Sequence, residues 1–240
     1  MCYFKFWALF ESDGNHACPI CNSANIRFWG NPSNPNVMCS KCYSLQRHRQ
    51  LFLCLKDKTN FFSADLRVLH FAPEHCFKQF ADAPNLQYIT ADLTSSCAWP
   101  VEEPMIKMDI MQLPFRDDSF DVILCSHVLE HVSNDTKALN ELFRILTPAG
   151  WAIIIVPADK RLSSTIEDLS ILSEEERMAV CDGEDHVRRY GLDFKEKPSE
   201  VGFFVEEIDY TEELPAEAVT RYNLSNKSEL LYLLMKRPRT

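Results

Sequence analysis

The chain has 240 residues, 46% of them hydrophobic, and a formal net charge of −10 at pH 7. That length allows one large core and a small second module. No apolar run is long enough to cross a membrane, and the acidic balance argues against wholesale binding of nucleic acid.

The opening "MCYFKFWALFESDG" has a short apolar stretch that Lys5 and Glu11 interrupt. No small-residue cleavage site follows, so a terminal helix or strand is expected there and not a signal peptide. Ten cysteines at scattered positions suit a reducing compartment, and a cytoplasmic location is expected. Charge is uneven along the chain. Residues 1–60 hold seven Lys or Arg against three Asp or Glu, so the rest is strongly acidic.

Cys18, Cys21, Cys39 and Cys42 form two C-x2-C knuckles separated by seventeen residues. Each knuckle aims two sulfurs at one point, and two of them complete the closed S4 set that structural zinc fills. Pro19, Gly30, Ser40 and the "NPSNPN" run supply turns between them. The spacing predicts a zinc ribbon. Next, in "SLQRHRQLFLCLKD", Leu45, Leu51, Phe52 and Leu55 recur at helical spacing, with Arg47, His48 and Arg49 on the first turns. That basic cluster suits either a phosphate or carboxylate contact or a solvated helix face. Residues 1–60 are expected to form the ribbon and basic helix, and 61–240 the main domain.

From residue 66 the pattern becomes short apolar runs with longer spacers. "RVLHF" (67–71), "LQYITADL" (86–93), "MIKMDI" (105–110), "FDVILCS" (120–126) and "WAIIIVP" (151–157) suit parallel strands buried on both faces. "NDTKALNELFRIL" carries a helical stripe at Leu139, Leu142, Phe143 and Leu146, with Asn134 or Asp135 to cap it and "TPAG" to stop it. "GFFVEEIDY" (202–210) and "ELLYLLMK" (229–236) add two strands. Seven strands with helical crossovers predict an α/β fold: a doubly wound, mostly parallel sheet whose ligand sits beyond the strand carboxyl ends.

The turn in "VLHFAPEHC" (68–76) sits where such a sheet cradles a ligand, yet no residue from 31 to 149 is glycine. Loops that bring backbone close to a cofactor usually need glycine. Pro73 fixes φ without needing a donor, and Ala72 is the smallest side chain available.

"VLHFAPE", "YITADL", "KMDIMQLPFRDDSFDVILCSHVLEHV" and "ALNELFRILTPAGWAIIIVP" resemble the class I, type 11 S-adenosylmethionine-dependent methyltransferases over about residues 66–157. The chain is similar to a subset with an "FAPE" loop, often behind a ribbon and an "RHR" helix. The resemblance implies a Rossmann-like methyltransferase fold and S-adenosylmethionine as cofactor. It implies that Asp92, with Leu93 beside it, holds the ribose hydroxyls and that Asp109 and Ile110 read the adenine. The usual strand-one loop has an acid and three glycines; here His70, Ala72, Glu74 and Cys76 replace them. Glu74 is expected to restore the lost carboxylate by meeting the methionine ammonium or the ribose.

Ser126 and His127, after strand four, are expected beside the transferred methyl. His127 and His131 are the candidate general bases, with an orienting or structural role as the alternative for His131. The segment 159–200 is too long for a crossover, and the resembled architecture places it over the acceptor. His186, Arg188 and Tyr190 are therefore candidate substrate contacts, with a solvated lid helix as the bland alternative. Three functions stay open. The first is a methyltransferase for a small-molecule, glycan or natural-product acceptor. The second is an RNA base methyltransferase that grips RNA with its ribbon. The third is a non-catalytic interaction protein.

Overall fold

The computed structural model describes residues 10–11, 15–31, 34–93, 105–168, 170, 173–224 and 229–236. The chain divides into two compact units. The first comprises Met1–Ala64, Glu74–Gln79 and Asp209–Ser228; the second comprises Asp65–Pro73, Phe80–Ile208 and Glu229–Thr240. The expected boundary near residue 60 is thus only part of the division, because two later segments join the ribbon.

In the first unit, strands His16–Cys18 and Ser23–Ile26 pair antiparallel, as do Phe28–Asn31 and Asn34–Cys39. One knuckle turns the first hairpin, and the other follows the second. Helix α1, Gln46–Lys58, starts where the Leu45 N–H donates to His48 Nδ1 at 3.1 Å. Leu51 and Leu55 are buried on its inner stripe, as expected. Arg49, however, belongs neither to a solvated face nor to a phosphate grip. It is fully buried, 4.3 Å over the Phe28 ring. Its guanidinium donates to the carbonyls of Val37, Ser44, Tyr222 and Asn223. Carbonyl acceptors on this many sides compensate the buried guanidinium, which explains why a cation is tolerated there. Burial lowers its pKa to about 10, against the pull of the ribbon cysteines.

The second unit is built on seven strands: β1 Leu66–Phe71, β2 Leu86–Asp92, β3 Met105–Lys107, β4 Phe120–Ser126, β5 Leu146–Ile155, β6 Phe204–Ile208 and β7 Leu231–Met235. Their order is β3-β2-β1-β4-β5-β7-β6. All pairs from β3 to β5 are parallel, and β7 runs antiparallel to both neighbours. The sheet is the expected mostly parallel, Rossmann-like one. β1 and β4 are buried at nearly every position, as their unbroken apolar runs require.

Helix α2, Asp135–Ile145, is capped by Asn134, whose side chain accepts from the Lys137 N–H at 2.8 Å. Ala138, Leu139, Leu142 and Ile145 face the core. "TPAG" does not stop this helix. The helix ends at Ile145 and the strand begins at Leu146, so the tetrapeptide lies inside β5 as an irregularity between Leu146 and Trp151. There Ala149 takes φ +67° and donates to the Lys236 carbonyl, holding the kink against β7.

The segment 159–200 is not a single lid helix. It holds a two-stranded ladder, Ile166–Glu167 with Arg188–Arg189. Between them lies helix α3, Glu174–Cys181, capped by Ser173.

The carboxyl ends of β1 and β4 decide where a ligand fits. The chain travels one way from β1 to β3, returns to β4 beside β1 and continues the other way, so the crevice opens between β1 and β4. Both strands are left through left-handed residues, Ala72 at φ +48° and His127 at φ +53°. An L-residue held there costs about 1–2 kcal/mol. Replacing Ala72 with Gly should therefore leave stability unchanged or slightly raised, because relief of strain is offset by a freer unfolded chain. Ala72→Val should lose about 1–2 kcal/mol more in urea unfolding, since a branched side chain tolerates this conformation least. A valine variant as stable as the parent would show that the turn is built otherwise.

Candidate functional site

Two sites emerge, one in each unit. In the first unit the four ribbon sulfurs converge, and their ligand atoms all lie within 4.8 Å of one another. Cys18 Sγ is 3.6 Å from Cys42 Sγ, and Cys21 Sγ is 3.8 Å from Cys39 Sγ. Sulfurs at the corners of a tetrahedron, each about 2.3 Å from a central zinc, are about 3.8 Å apart. The donor set and spacing therefore fit one ion. Ser44 Oγ lies 3.3 Å from both Cys18 and Cys42.

Glu74, expected at the cofactor, belongs to this first unit. Its Oε1 lies 3.3 Å from His48 Nε2, both side chains being mostly buried. Pro73 ends the second unit's share of the loop, and the chain then enters the tight turn His75–Phe80. The carboxylate serves the "RHR" helix. Cys76 Sγ lies 3.4 Å from the other nitrogen of the same imidazole.

In the second unit a cavity of about 380 Å³ opens at the carboxyl ends of β1–β4. Six of the residues expected to meet the cofactor line it: Ala72, Asp92, Leu93, Asp109, Ile110 and His127. Phe71, Ala91, Met108 and Val128 add apolar walls. Asp92 closes β2, and Leu93 beside it is 55% exposed, a large apolar side chain offered to a ligand. Asp109 does turn work as well, since its Oδ1 accepts the Met111 N–H at 2.8 Å.

Besides Glu74, two of the expected cofactor contacts lie elsewhere. His70 is fully buried and hydrogen-bonds the Tyr88 hydroxyl through Nδ1 at 2.5 Å, away from the cavity walls. The residue that replaces the usual acid is thus a core histidine. Ser126 is buried next to His127 without lining the cavity, and its Oγ has no hydrogen-bond partner among the described residues.

His127 has both ring nitrogens opposite carboxylates. Nδ1 is 3.1 Å from Glu130 Oε1, and Nε2 is 2.6 Å from Glu229 Oε2. Both ring nitrogens are engaged with carboxylates, a geometry that fits an orienting residue better than a general base. His131 also lines the cavity, with Asp185 beside it. Its Nδ1 faces Asp185 Oδ2 at 3.3 Å, and its Nε2 lies 4.0 Å from Glu130 Oε1. The rings of His131 and His186 stack edge to face at 4.8 Å.

Arg188 and Tyr190, expected at the acceptor, are instead fully buried. Arg188 Nη1 donates to the carbonyls of Leu129 and Val132 at 2.6 and 2.5 Å, and Nη2 donates to Glu167 Oε1 at 2.7 Å. The Tyr190 hydroxyl donates to Asp135 Oδ2 at 2.9 Å, and Lys197 Nζ donates to the same oxygen at 2.7 Å. Asp135 stays below the usual carboxylate range, because these cations outweigh its burial. The pair braces the turn that carries His131. Sequence reasoning missed Glu130, Asp185 and Glu229. The first two sit in "LEH" and "EDH" beside histidines already singled out, whereas nothing local marks Glu229.

Residues 75–154 match the family model described as "Methyltransferase domain". A 72-residue stretch is 43% identical to the uncharacterized protein MJ0638 of Methanocaldococcus jannaschii, covering 30% of this chain and 32% of that one. Another of 74 residues is 30% identical to norajmaline N-methyltransferase of Rauvolfia serpentina, covering 31% of this chain and 25% of that protein. The matched part thus spans a third or less of these relatives. Among solved structures, the YcgJ protein of Bacillus subtilis is similar over 80% of this chain and all of its own, with a TM-score of 0.53 at 20% identity. The 1,6-didemethyltoxoflavin-N1-methyltransferase of Burkholderia thailandensis, solved with its substrate and S-adenosylhomocysteine, covers 80% of this chain and 78% of its own, at 0.51 and 13%. The second unit thus has the seven-stranded, mostly parallel Rossmann-like methyltransferase fold, and residues 75–154 within the chain match the methyltransferase-domain model.

Proposed function

We propose that the chain is an S-adenosylmethionine-dependent methyltransferase acting on a small-molecule or glycan acceptor, with a zinc ion holding its N-terminal ribbon. The observation that carries this reading is the cavity at the β1–β4 ends, with Asp92 and Asp109 on its walls. Its volume falls in the range of about 300–1,000 Å³ usual for small-molecule sites. Two carboxylates at adjacent strand ends suit a ribose diol and an adenine amino group, and Leu93, Met108 and Ile110 give the base apolar cover.

S-adenosylmethionine, when bound there, supplies an electrophilic methyl group. The chain's own part is then positioning and exclusion of water. Asp92 fixes the ribose, the Ala72 turn gives close backbone approach without glycine, and His127, held between Glu130 and Glu229, keeps its ring in place on the cavity wall. The second reading, an RNA base methyltransferase, loses its main support with Arg49, which is spent on backbone carbonyls within the first unit. The third, an interaction protein without turnover, predicts no cofactor affinity.

Asp92→Ala should weaken binding of S-adenosylhomocysteine by about 1–3 kcal/mol, the worth of hydrogen bonds to a charged group. Titration calorimetry checks this, and unchanged affinity would remove the ribose assignment. The purified chain should also carry a zinc ion that resists dialysis. Cys39→Ser should release it and lower the melting temperature, as expected where metal binding is folding energy. A serine variant that melts with the parent would contradict the ribbon.

A further inference from the structure

We propose that Glu130, His131 and His186 form a second metal site, for a divalent transition-metal ion, beside the cofactor cavity. Their ligand atoms lie within 4.8 Å of one another. Donors about 2.1 Å from one ion are at most about 4.2 Å apart, so a small side-chain rotation closes the set.

Three independent features favour an ion there. The first is the outer hydrogen bonding. His186 Nδ1 is 3.2 Å from the Cys181 carbonyl, and His131 Nδ1 is 3.3 Å from Asp185 Oδ2 and 3.4 Å from the Asp185 carbonyl. A ring that donates from Nδ1 to an oxygen is left with its lone pair on Nε2, the arrangement that metal-ligating histidines show. The second is Glu130. It is fully buried, and neither carboxylate oxygen accepts a hydrogen bond among the described residues. His127 Nδ1, 3.1 Å from Oε1, faces it on one side. A buried carboxylate short of partners calls for a cation. The third is preorganisation. The Val187 N–H donates to the Glu130 carbonyl at 2.9 Å, and Arg188 holds the carbonyls of Leu129 and Val132. Gly183 lies so close under the His186 ring that a Cβ there would sit 2.4 Å from it. Only glycine leaves room for the ring in this position.

Two imidazoles and one carboxylate suit zinc, iron(II), cobalt(II) or manganese(II), and three protein ligands leave positions open for another oxygen. His131 lines the cavity, so the open side serves a molecule bound there. The ligand class is a small molecule with a hydroxyl, whose proton the ion would make easier to lose, or with a carboxylate, which the ion would bind as the anion. This clause alone rests on the methyltransferase reading; the metal site itself does not.

The test adds cobalt(II) to the full chain with its ribbon metal in place, measuring bound metal by dialysis and the visible spectrum. One additional cobalt per chain is expected, with ligand-field bands and no thiolate charge-transfer band. Glu130→Gln and His186→Gln should each weaken it at least about tenfold, with thermal melting of the metal-free variants showing that they fold. If Glu130→Gln fails to fold, the partly exposed His186→Gln decides. No additional cobalt, a thiolate band in its place, or unchanged binding in His186→Gln overturns the site. S-adenosylhomocysteine affinity, measured on the same samples, separates the two readings. Cofactor binding without cobalt sinks only the metal site, whereas cobalt without cofactor sinks only the methyltransferase reading.

Discussion

Two neighbouring parallel strands must both turn away from the sheet within one residue, and neither has a glycine with which to do it. β1 leaves through Ala72 and β4 through His127, each in the left-handed region. This constraint shapes the rest of the site. Ala72 is tolerable because its side chain is a single methyl, and its N–H is anchored to the Ala91 carbonyl at 2.8 Å. His127 needs more, and its ring is fixed from both sides by Glu130 and Glu229. The backbone is opened by strain that the surrounding hydrogen bonds hold in place.

The segment 159–200 supplies much of that restraint. Its arginine and tyrosine point inward, to the carbonyls of Leu129 and Val132 and to the buried Asp135. A buried charge pair of this kind contributes specificity of position more than net stability. Removing one partner would leave the other without compensation. Of this segment's described residues, Asp185 lines the cavity and His186 packs against His131, just before the Arg188–Arg189 strand.

The parallel sheet was legible because strands buried on both faces must be continuous apolar runs, as "RVLHF" and "FDVILCS" are. The convergence of Cys18, Cys21, Cys39 and Cys42 was legible because each C-x2-C turn aims two sulfurs at one point. Asp92, Leu93, Asp109 and Ile110 were named from the family resemblance, and all four line the cavity. Arg49 was not legible, because its burial depends on carbonyls at Tyr222 and Asn223, more than 170 positions away in the chain. Glu74 was misassigned for a related reason: the residues after Pro73 pack with the ribbon unit, and only the fold shows it. Arg188 and Glu229 failed the same way, since a charged residue reads as exposed until its buried partner is known.

The most direct test of the cofactor cavity is a crystal structure of the chain with S-adenosylhomocysteine. The ribose hydroxyls should lie within hydrogen-bond reach of the Asp92 carboxylate, with the adenine between Leu93 and Ile110. A chain that takes up no cofactor at saturating concentration, or one that holds it away from the β1–β4 ends, would contradict the assignment of this cavity.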